Sequence, residues 1–370
     1  TKLDRRQGMT YIGAENIISP LGESAEENFN QLKEGNSGIR IHSGIGLKGE
    51  DLPASIISEL EDFDPVEMAA RSIRASIKQL NHARFSSQKK CLIISSTKGD
   101  LNQMKDNASD ASLLRFKDQI AEKFPEFDEV QLISNACISG VLSLVWAHDL
   151  IVGKEFQTVV VCGVDMLSKF TLAGFQSFFA LSELQCKPFD KNRAGINLGE
   201  AASTIVLSEE NEVFQSDVFH CLGGSVNSDA NHISGPSRTG EGLYRTIERT
   251  MKRAGVEKNE IDFISAHGTG TNYNDEMESI AFDRHGLNEV PLNSLKGYFG
   301  HTFGAAGVIE TAICLQSIRN KILIASAGFE ELGTTKTINI LTENLDKEVN
   351  TILKTASGFG GSNASVLIRK

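Results

Sequence analysis

Short apolar runs alternate along this chain with longer stretches of helical periodicity, and this alternation constrains the fold more than any other feature. Residues 91–95 and 158–162 are almost continuously apolar, which is typical of strands buried on both faces of a parallel sheet. Residues 65–80 and 305–318 carry apolar side chains at helical spacing. Strands that alternate with helices predict an α/β fold with mostly parallel sheets.

The order of these elements is repeated in the second half of the chain. A predicted strand at 130–133 leads through a turn that carries Cys137 into a helix. A predicted strand at 292–296 leads in the same way through a loop that carries His301 into another helix. Because the two connections are equivalent, we expect Cys137 and His301 to lie where the two halves meet.

We predict two halves of one body, residues 9–207 and 208–370, because no low-complexity tract or flexible linker separates them. The polar stretch 1–8 is left out of both halves. Packing of the halves is expected to bring three side chains of chemical interest to one interface: Cys137, His267 and His301.

Residues 135–140 read Asn-Ala-Cys-Ile-Ser-Gly and form the most informative segment. A turn of small residues between a buried strand and a buried helix presents Cys137 at the helix N-terminus, where the dipole and the free N–H groups favour an anion. We therefore expect a thiolate, which is the nucleophilic form of cysteine. The alternative is a small buried core residue. That alternative is the expectation for the remaining cysteines: Cys91, Cys162, Cys186, Cys221 and Cys314.

Composition excludes several classes of function. The net charge of −11 argues against a nucleic-acid-binding surface, which would be basic. No apolar run approaches the roughly 20 residues that span a bilayer, and no signal peptide is visible. Six cysteines without a CxxC pair fit a reducing, cytoplasmic setting. No short-spaced pair of metal ligands is present, so no metal is expected.

Four motifs in a fixed order carry a resemblance to a known family. They are the Cys137 segment, Ala-His-Gly-Thr-Gly-Thr at 266–271, the run from Lys296 to Gly307, and Gly-Phe-Gly-Gly-Ser-Asn at 358–363. Together they resemble the β-ketoacyl-acyl-carrier-protein synthases, the condensing enzymes of fatty-acid and polyketide synthesis. The resemblance implies the thiolase fold, in which duplicated α/β halves form a layered α-β-α-β-α core.

The resemblance also implies how the central residues act. Cys137 would hold the acyl group as a thioester, and His267 and His301 would bind the charge of an enolate through their N–H groups. The backbone N–H groups of Cys137 and Phe359 would form the oxyanion hole, and Phe359 would gate the nucleophile. Such a Cys-His-His set is similar to that of the elongating members of the family.

Further positions follow the family spacing. Lys296 would be a buried cation with Glu310 as its counter-charge; the alternative is an exposed loop lysine and a solvated helix glutamate. Thr269 and Thr271 resemble the residues that hydrogen-bond the pantetheine arm of the substrate. Their alternative is an ordinary capping role at the next helix.

By this resemblance the chain is an acyltransferase that performs a decarboxylating Claisen condensation between an acyl group on Cys137 and malonyl-acyl-carrier protein. No dissociable cofactor is expected, because phosphopantetheine arrives on the carrier substrate. Acyl carrier protein is the expected partner. A homodimer is expected, with a heterodimer that includes a chain-length partner as the alternative. Two other functions stay open: a non-catalytic subunit like a chain-length factor, and an acyltransferase that uses Cys137 without condensation.

Two segments are shorter than is typical of the family. One lies between the helix that ends near Leu80 and Cys137, and the other is 180–188. In the family such segments shape the acyl pocket and the dimer interface. Their trimming suggests a specialised polyketide-type pathway, such as pigment synthesis, as an alternative to housekeeping fatty-acid synthesis.

Overall fold

The computed structural model describes residues 10–57, 64–103, 111–229 and 237–370, so the expectation for residues 1–8 lies outside the described residues. The α-helices are α1 (Ala25–Lys33), α2 (Pro65–Ile77), α3 (His82–Ser87), α4 (Leu113–Ala121), α5 (Ser139–Val152), α6 (Lys169–Ser177), α7 (Glu241–Ala254), α8 (Asn272–His285), α9 (Lys296–Phe299) and α10 (Ala306–Asn320). The strands are β1 (Thr10–Ile18), β2 (Arg40–His42), β3 (Leu52–Ser55), β4 (Lys90–Ser95), β5 (Glu129–Ile133), β6 (Thr158–Asp165), β7 (Leu198–Gly199), β8 (Ala201–Ser208), β9 (Phe219–Ser228), β10 (Phe263–Ser265), β11 (Leu292–Asn293), β12 (Ile322–Leu323), β13 (Leu345–Asp346), β14 (Thr351–Gly358) and β15 (Ser362–Arg369).

A 10-stranded sheet organises the molecule, in the order β11-β10-β14-β15-β9-β1-β8-β6-β4-β5. The pairing of β9 with β1 divides it into two groups of strands. We number the strands of each group in chain order and read each group from the outer edge of the sheet to the β9–β1 pair. Both groups then have the order third, second, fourth, fifth, first, with the same pattern of parallel and antiparallel pairs. The predicted duplication is therefore confirmed at the level of topology. The boundary predicted between residues 207 and 208 stays a prediction.

The sheet is mixed, so the prediction of mostly parallel sheets is wrong. β4 pairs in parallel with β5 and β6, and β10 pairs in parallel with β11 and β14. The other pairings in this sheet are antiparallel. The connections explain the difference, since residues 359–361 alone join β14 to β15. A loop of this length forms a hairpin and cannot form the long crossover that a parallel pair requires.

Helices cover both faces of the sheet and fill the space between the two strand groups. α5 and α10 lie in the middle, where their apolar side chains pack with inward-facing residues of both groups, such as Val161 and Ile352. α2 and α4 cover the outer face of the first group, and α7 and α8 cover that of the second. The predicted layered α-β-α-β-α core is confirmed. Within the described ranges, the helices are too short or too polar to cross a membrane.

The two central helices approach each other at glycines. A Cβ atom at Gly140 would lie 2.9 Å from the backbone nitrogen of Val308, and one at Gly307 would lie 2.6 Å from that of Val141. Any side chain at these positions would push the helices apart. Because α5 begins just after Cys137 and α10 begins shortly after the His301 loop, this crossing fixes how the two halves of the site face each other.

Candidate active site

Cys137 lies in a tight turn between β5 and α5 that local hydrogen bonds hold in place. Ala136 has a φ of 43°, a left-handed conformation that costs an L-residue about 1–2 kcal/mol. The hydroxyl of Ser139 accepts a hydrogen bond from the backbone N–H of Asn135 at 2.7 Å and donates one to the carbonyl of Ala136 at 2.7 Å. The turn thus presents Cys137 at the N-terminus of a buried helix, as the sequence predicts.

The fold brings Cys137, His267 and His301 together. The sulfur and a ring nitrogen of each histidine all lie within 4.8 Å of one another. The two imidazole rings are nearly perpendicular, and their centroids are 5.4 Å apart. Both histidines are buried, and all three side chains line a cavity of about 380 Å³. Three nitrogen and sulfur donors at this spacing also form a set that a metal ion could use.

The thiolate expected from the sequence is not the resting form of Cys137. Burial raises the pKa of its thiol to about 11. The charge of Lys296 and the backbone N–H groups of Phe359 and Cys137 lower this pKa but do not offset the effect of burial. The sulfur therefore carries its proton at neutral pH, and attack on a thioester requires a base to remove it.

The histidines are neutral, and His301 is held in one tautomer. The backbone N–H of Phe303 donates to Nδ1 of His301 at 2.9 Å, so Nε2 carries the hydrogen in the neutral ring. Among the described residues, Nε2 of His301 and Nδ1 of His267 are buried without a partner. Burial, followed by the charge of Lys296, holds the pKa of both rings well below 6.5. Two neutral rings with unpartnered nitrogens can stabilise a developing negative charge.

Lys296 and Glu310 form a buried ion pair, which rules out the alternative of two solvated side chains. Nζ of Lys296 contacts Oε1 of Glu310 and donates to the carbonyl of His267 at 3.1 Å. The exposed fractions of the two side chains are 1% and 4%. Lys354, which sequence reasoning missed, pairs with the other oxygen of Glu310 at 2.7 Å. Lys354 lies in β14, which does not have the composition of a buried strand, so no sequence pattern marked it as buried.

Two buried acids of α8 hold the loop that carries His267. Glu278 accepts from the N–H of His267 at 2.9 Å, and Asp275 accepts from the N–H of Thr269 at 2.9 Å. Burial raises the pKa of Glu278 to about 7. Thr271 is the N-cap residue of α8, but its side chain makes no capping bond. Its hydroxyl lies 2.8 Å from that of Thr269, and both threonines line the cavity.

The loop between β14 and β15 places Phe359 directly beside the nucleophile. A Cβ atom at Gly358 would lie 3.2 Å from the backbone nitrogen of Cys137, so the loop and the nucleophile turn are in close contact. The backbone N–H groups of Phe359 and Cys137 both lower the pKa of the Cys137 thiol. They therefore favour a negative charge at this position, as the donors of an oxyanion hole do. The ring of Phe359 is 42% exposed and stacks on Phe175 with a centroid distance of 5.9 Å.

Sequence reasoning also missed a second ion pair near the site. Nζ of Lys98 lies 3.0 Å from Oδ1 of Asp165 and 3.9 Å from the ring centroid of Phe303. Asp165 accepts from the backbone N–H of Gly304 at 2.7 Å, which ties β6 to the loop after His301. The only available signal was the position of Lys98 in the loop that follows the carboxyl end of β4, where binding residues of α/β sheets commonly lie.

Comparison with known proteins gives two family matches. The β-ketoacyl synthase N-terminal domain matches residues 130–213, and the β-ketoacyl synthase C-terminal domain matches residues 219–330. A 3-oxoacyl-[acyl-carrier-protein] synthase 2 of Rhizobium meliloti is 32% identical over 253 residues, which cover 64% of this chain and 60% of that relative. The enzyme of the same name from Coxiella burnetii is 25% identical, with 99% of each chain covered.

Solved structures agree with these matches. The ketosynthase ApeO, in complex with its chain length factor ApeC from Xenorhabdus doucetiae, superimposes with a TM-score of 0.85 and 25% identity. The superposition covers 100% of this chain and 99% of that one. The fold is therefore that of the ketosynthases, over the whole described chain.

Proposed function

The chain belongs to the β-ketoacyl synthase family, and we propose that it catalyses a decarboxylating Claisen condensation in fatty-acid or polyketide synthesis. Cys137 accepts the acyl group, and a malonyl group on acyl carrier protein supplies the attacking carbon. The observation that carries this proposal is the meeting of one thiol and two neutral imidazoles at a single cavity. A chain-length-factor role is not favoured, because both the nucleophile and its imidazoles are present.

The first step transfers the acyl group to Cys137. The sulfur attacks the thioester carbonyl, a new carbon–sulfur bond forms, and the bond to the pantetheine thiol breaks. The tetrahedral oxyanion lies on the backbone N–H groups of Cys137 and Phe359. We assign the transfer of the thiol proton to His267, because Nε2 of His301 already carries a hydrogen. The proton ends on the departing pantetheine thiol.

The second step forms the new carbon–carbon bond. The malonyl thioester loses carbon dioxide, and its electron pair passes into an enolate. The enolate oxygen receives a hydrogen bond from Nε2 of His301 and one from His267, whose single ring hydrogen must in this step lie on the nitrogen that faces the cavity. Neutral imidazoles suit this role, because the low pKa of both rings keeps each of them uncharged, with one N–H, at neutral pH. The enolate carbon then attacks the thioester carbonyl on Cys137, a carbon–carbon bond forms and the carbon–sulfur bond breaks. The released thiolate takes up one proton from water and returns to the resting thiol.

The neighbouring residues support these steps. Lys296 holds the carbonyl of His267 and lowers the pKa of the Cys137 thiol, with Glu310 as its counter-charge. We propose that the hydroxyls of Thr269 and Thr271, which line the cavity, bind the pantetheine arm.

The partners follow from the chemistry. Acyl carrier protein delivers both thioesters through its phosphopantetheine, so the enzyme itself needs no dissociable cofactor and no metal. We propose a dimer in the cytoplasm. A homodimer is the first candidate, and a heterodimer with a chain length factor is the second, since the related ketosynthase ApeO is described in complex with one.

Acyl loading and product analysis test the proposal. Purified protein is incubated with acyl-carrier donors and malonyl-carrier protein, and mass spectrometry locates the loaded residue and identifies the product. The Cys137→Ala variant is expected to lose loading and condensation, whereas Cys221→Ala, at a buried cysteine in β9, is expected to keep both. Condensation by the Cys137→Ala variant at the wild-type rate would refute the assignment.

The same experiment separates the remaining alternatives. An acylated product that forms equally well without malonyl-carrier protein would indicate plain acyl transfer. A panel of saturated, aromatic and polyunsaturated donors tests the pathway. Preference for conjugated donors supports pigment-type synthesis, and preference for saturated medium chains supports ordinary fatty-acid synthesis.

A further inference from the structure

Lys354 is a fully buried lysine in the middle of β14, and its ammonium group faces the strand end that carries His267. Its exposed fraction is 0%. Nζ donates to the carbonyls of Ser265 at 3.1 Å and Ala266 at 3.3 Å, the two residues directly before His267. It also donates to the carbonyl of Thr355 at 2.7 Å. A lysine is tolerated in an apolar core only when its ammonium is satisfied in this way.

Lys354 also changes the charge balance behind the site. Oε2 of Glu310 lies 2.7 Å from Nζ of Lys354, while Oε1 contacts Lys296. One carboxylate thus serves two ammonium groups, and this cluster carries one positive charge in excess. Lys296 and Glu310 alone would form a neutral pair. Both ammonium groups bind carbonyls of the segment 265–267, so the excess charge lies directly behind His267.

We propose that Lys354 is a positioning residue for His267: it fixes the backbone that carries this imidazole, and it keeps a positive charge behind the ring. The ring therefore stays neutral and rigidly oriented toward the sulfur. Lys354 lies outside the four sequence motifs that define the site. The inference rests on the proposed role of His267 as a donor to the enolate.

The charged groups around His267 give the direction of the effect. The titratable groups near the segment 265–267 include the neutral side chains of Cys137 and His301, together with Glu278 of α8, Lys296 of α9, Glu310 of α10 and Lys354 of β14. After burial, the charges of Lys296, His301 and Lys354 lower the pKa of His267. Removal of the Lys354 charge must therefore raise this pKa, because one source of repulsion for the imidazolium is lost.

Two variants and one matched control test the proposal. Lys354→Met removes the charge and the donors, and Lys354→Gln removes the charge but keeps a donor. Lys90→Met is the control, since Lys90 is also buried in a strand and its Nζ also binds a carbonyl, that of Gln88 at 2.8 Å, but it lies at the opposite end of β4 from the site. Thermal unfolding identifies the folded variants, and Lys354→Gln serves if Lys354→Met does not fold.

The readout is an NMR titration of the His267 imidazole, together with the rate of malonyl decarboxylation. In either Lys354 variant we expect the titration midpoint of His267 to rise and decarboxylation to fall by at least about tenfold. Lys90→Met is expected to leave both unchanged. Wild-type titration and decarboxylation in a folded Lys354 variant would overturn the inference. A loss of decarboxylation without a shift in the titration would also overturn it, because a merely structural lysine gives that result.

The titration does not depend on turnover. If Cys137→Ala retained condensation, the proposed function would fail while the shift at His267 could still be observed. If the shift were absent while Cys137 is loaded as expected, only the inference on Lys354 would fail.

Discussion

Substitution of Gly307 by alanine tests whether the crossing of α5 and α10 sets the geometry of the site. The new Cβ atom would lie 2.6 Å from the backbone nitrogen of Val141, whereas ordinary contact begins at 3.4 Å. The helices must therefore separate by about 0.8 Å at this point. The clash is with backbone, so no change of rotamer can relieve it.

This separation should act on both stability and catalysis. Overpacking of a close-packed core costs about 1–3 kcal/mol. The same movement displaces Cys137, just before α5, from His301, just before α10. A misplacement of about 1 Å in a reacting pair can cost about 100-fold in rate. We therefore expect condensation by Gly307→Ala to fall by roughly 10–100-fold, with a lower melting temperature.

The assay compares condensation rates at a temperature where each variant is folded. Gly174→Ala is the matched control, because a Cβ atom at Gly174 of α6 would meet no other described residue within 4 Å. Alanine is the better helix former by up to about 1 kcal/mol, so this control should be as stable as the wild type or more so. If Gly307→Ala were as active and as stable as the control, the helix crossing would not set the site geometry.

Three further predictions concern protons and metal. Alkylation of Cys137 by iodoacetamide should accelerate with pH until about pH 11, because burial raises the pKa of its thiol to about 11. Peptide mass spectrometry measures the alkylation rate at each pH. A rate that stops rising near pH 8.5 would contradict this prediction. Burial also raises the pKa of Glu200 from 4.5 to about 7, so the folded protein binds more protons in that window and loses about 3 kcal/mol of stability as pH rises through it. Urea unfolding at pH 5 and pH 8 measures this loss, which Glu200→Gln should remove; an unchanged pH dependence would exclude the carboxyl as its source. Condensation should survive dialysis against a chelator, and a loss that zinc restores would assign Cys137, His267 and His301 to a metal site.

The apolar strands and amphipathic helices could be predicted from sequence because their patterns reflect burial directly. α2 was expected over 65–80 and runs over Pro65–Ile77, and β4 was expected over 91–95 and runs over Lys90–Ser95. Strands β9 and β14 were missed, although both lie in the interior of the sheet. β9 contains Gly223 and Gly224, and β14 contains Lys354, so neither has the composition of a buried strand.

Site residues with a characteristic reactive side chain could be predicted from the sequence. Residues whose role depends only on their contacts in the folded protein could not. Cys137 and His301 could be placed together because the repeat puts each before a central helix. Glu310 pairs with two lysines, and only Lys296 was predicted. Lys354 was not predicted, because it lies in β14, a strand that the sequence pattern did not identify. The resting protonation of Cys137 was also wrong, since helix position favours a thiolate but the surrounding protein excludes enough water to reverse the effect.

The hairpin of β14 and β15 has a consequence for how a newly made chain matures. β15 lies between β9 and β14, and β14 lies between β15 and β10, so both are interior strands although they are the last described strands to leave the ribosome. Until they emerge, β9 and β10 have open edges that can pair with other nascent chains. The backbone N–H of Phe359 is also missing until then. The incomplete chain therefore already contains the Cys137 sulfur and both imidazoles, but it lacks one donor of the oxyanion hole and cannot begin turnover.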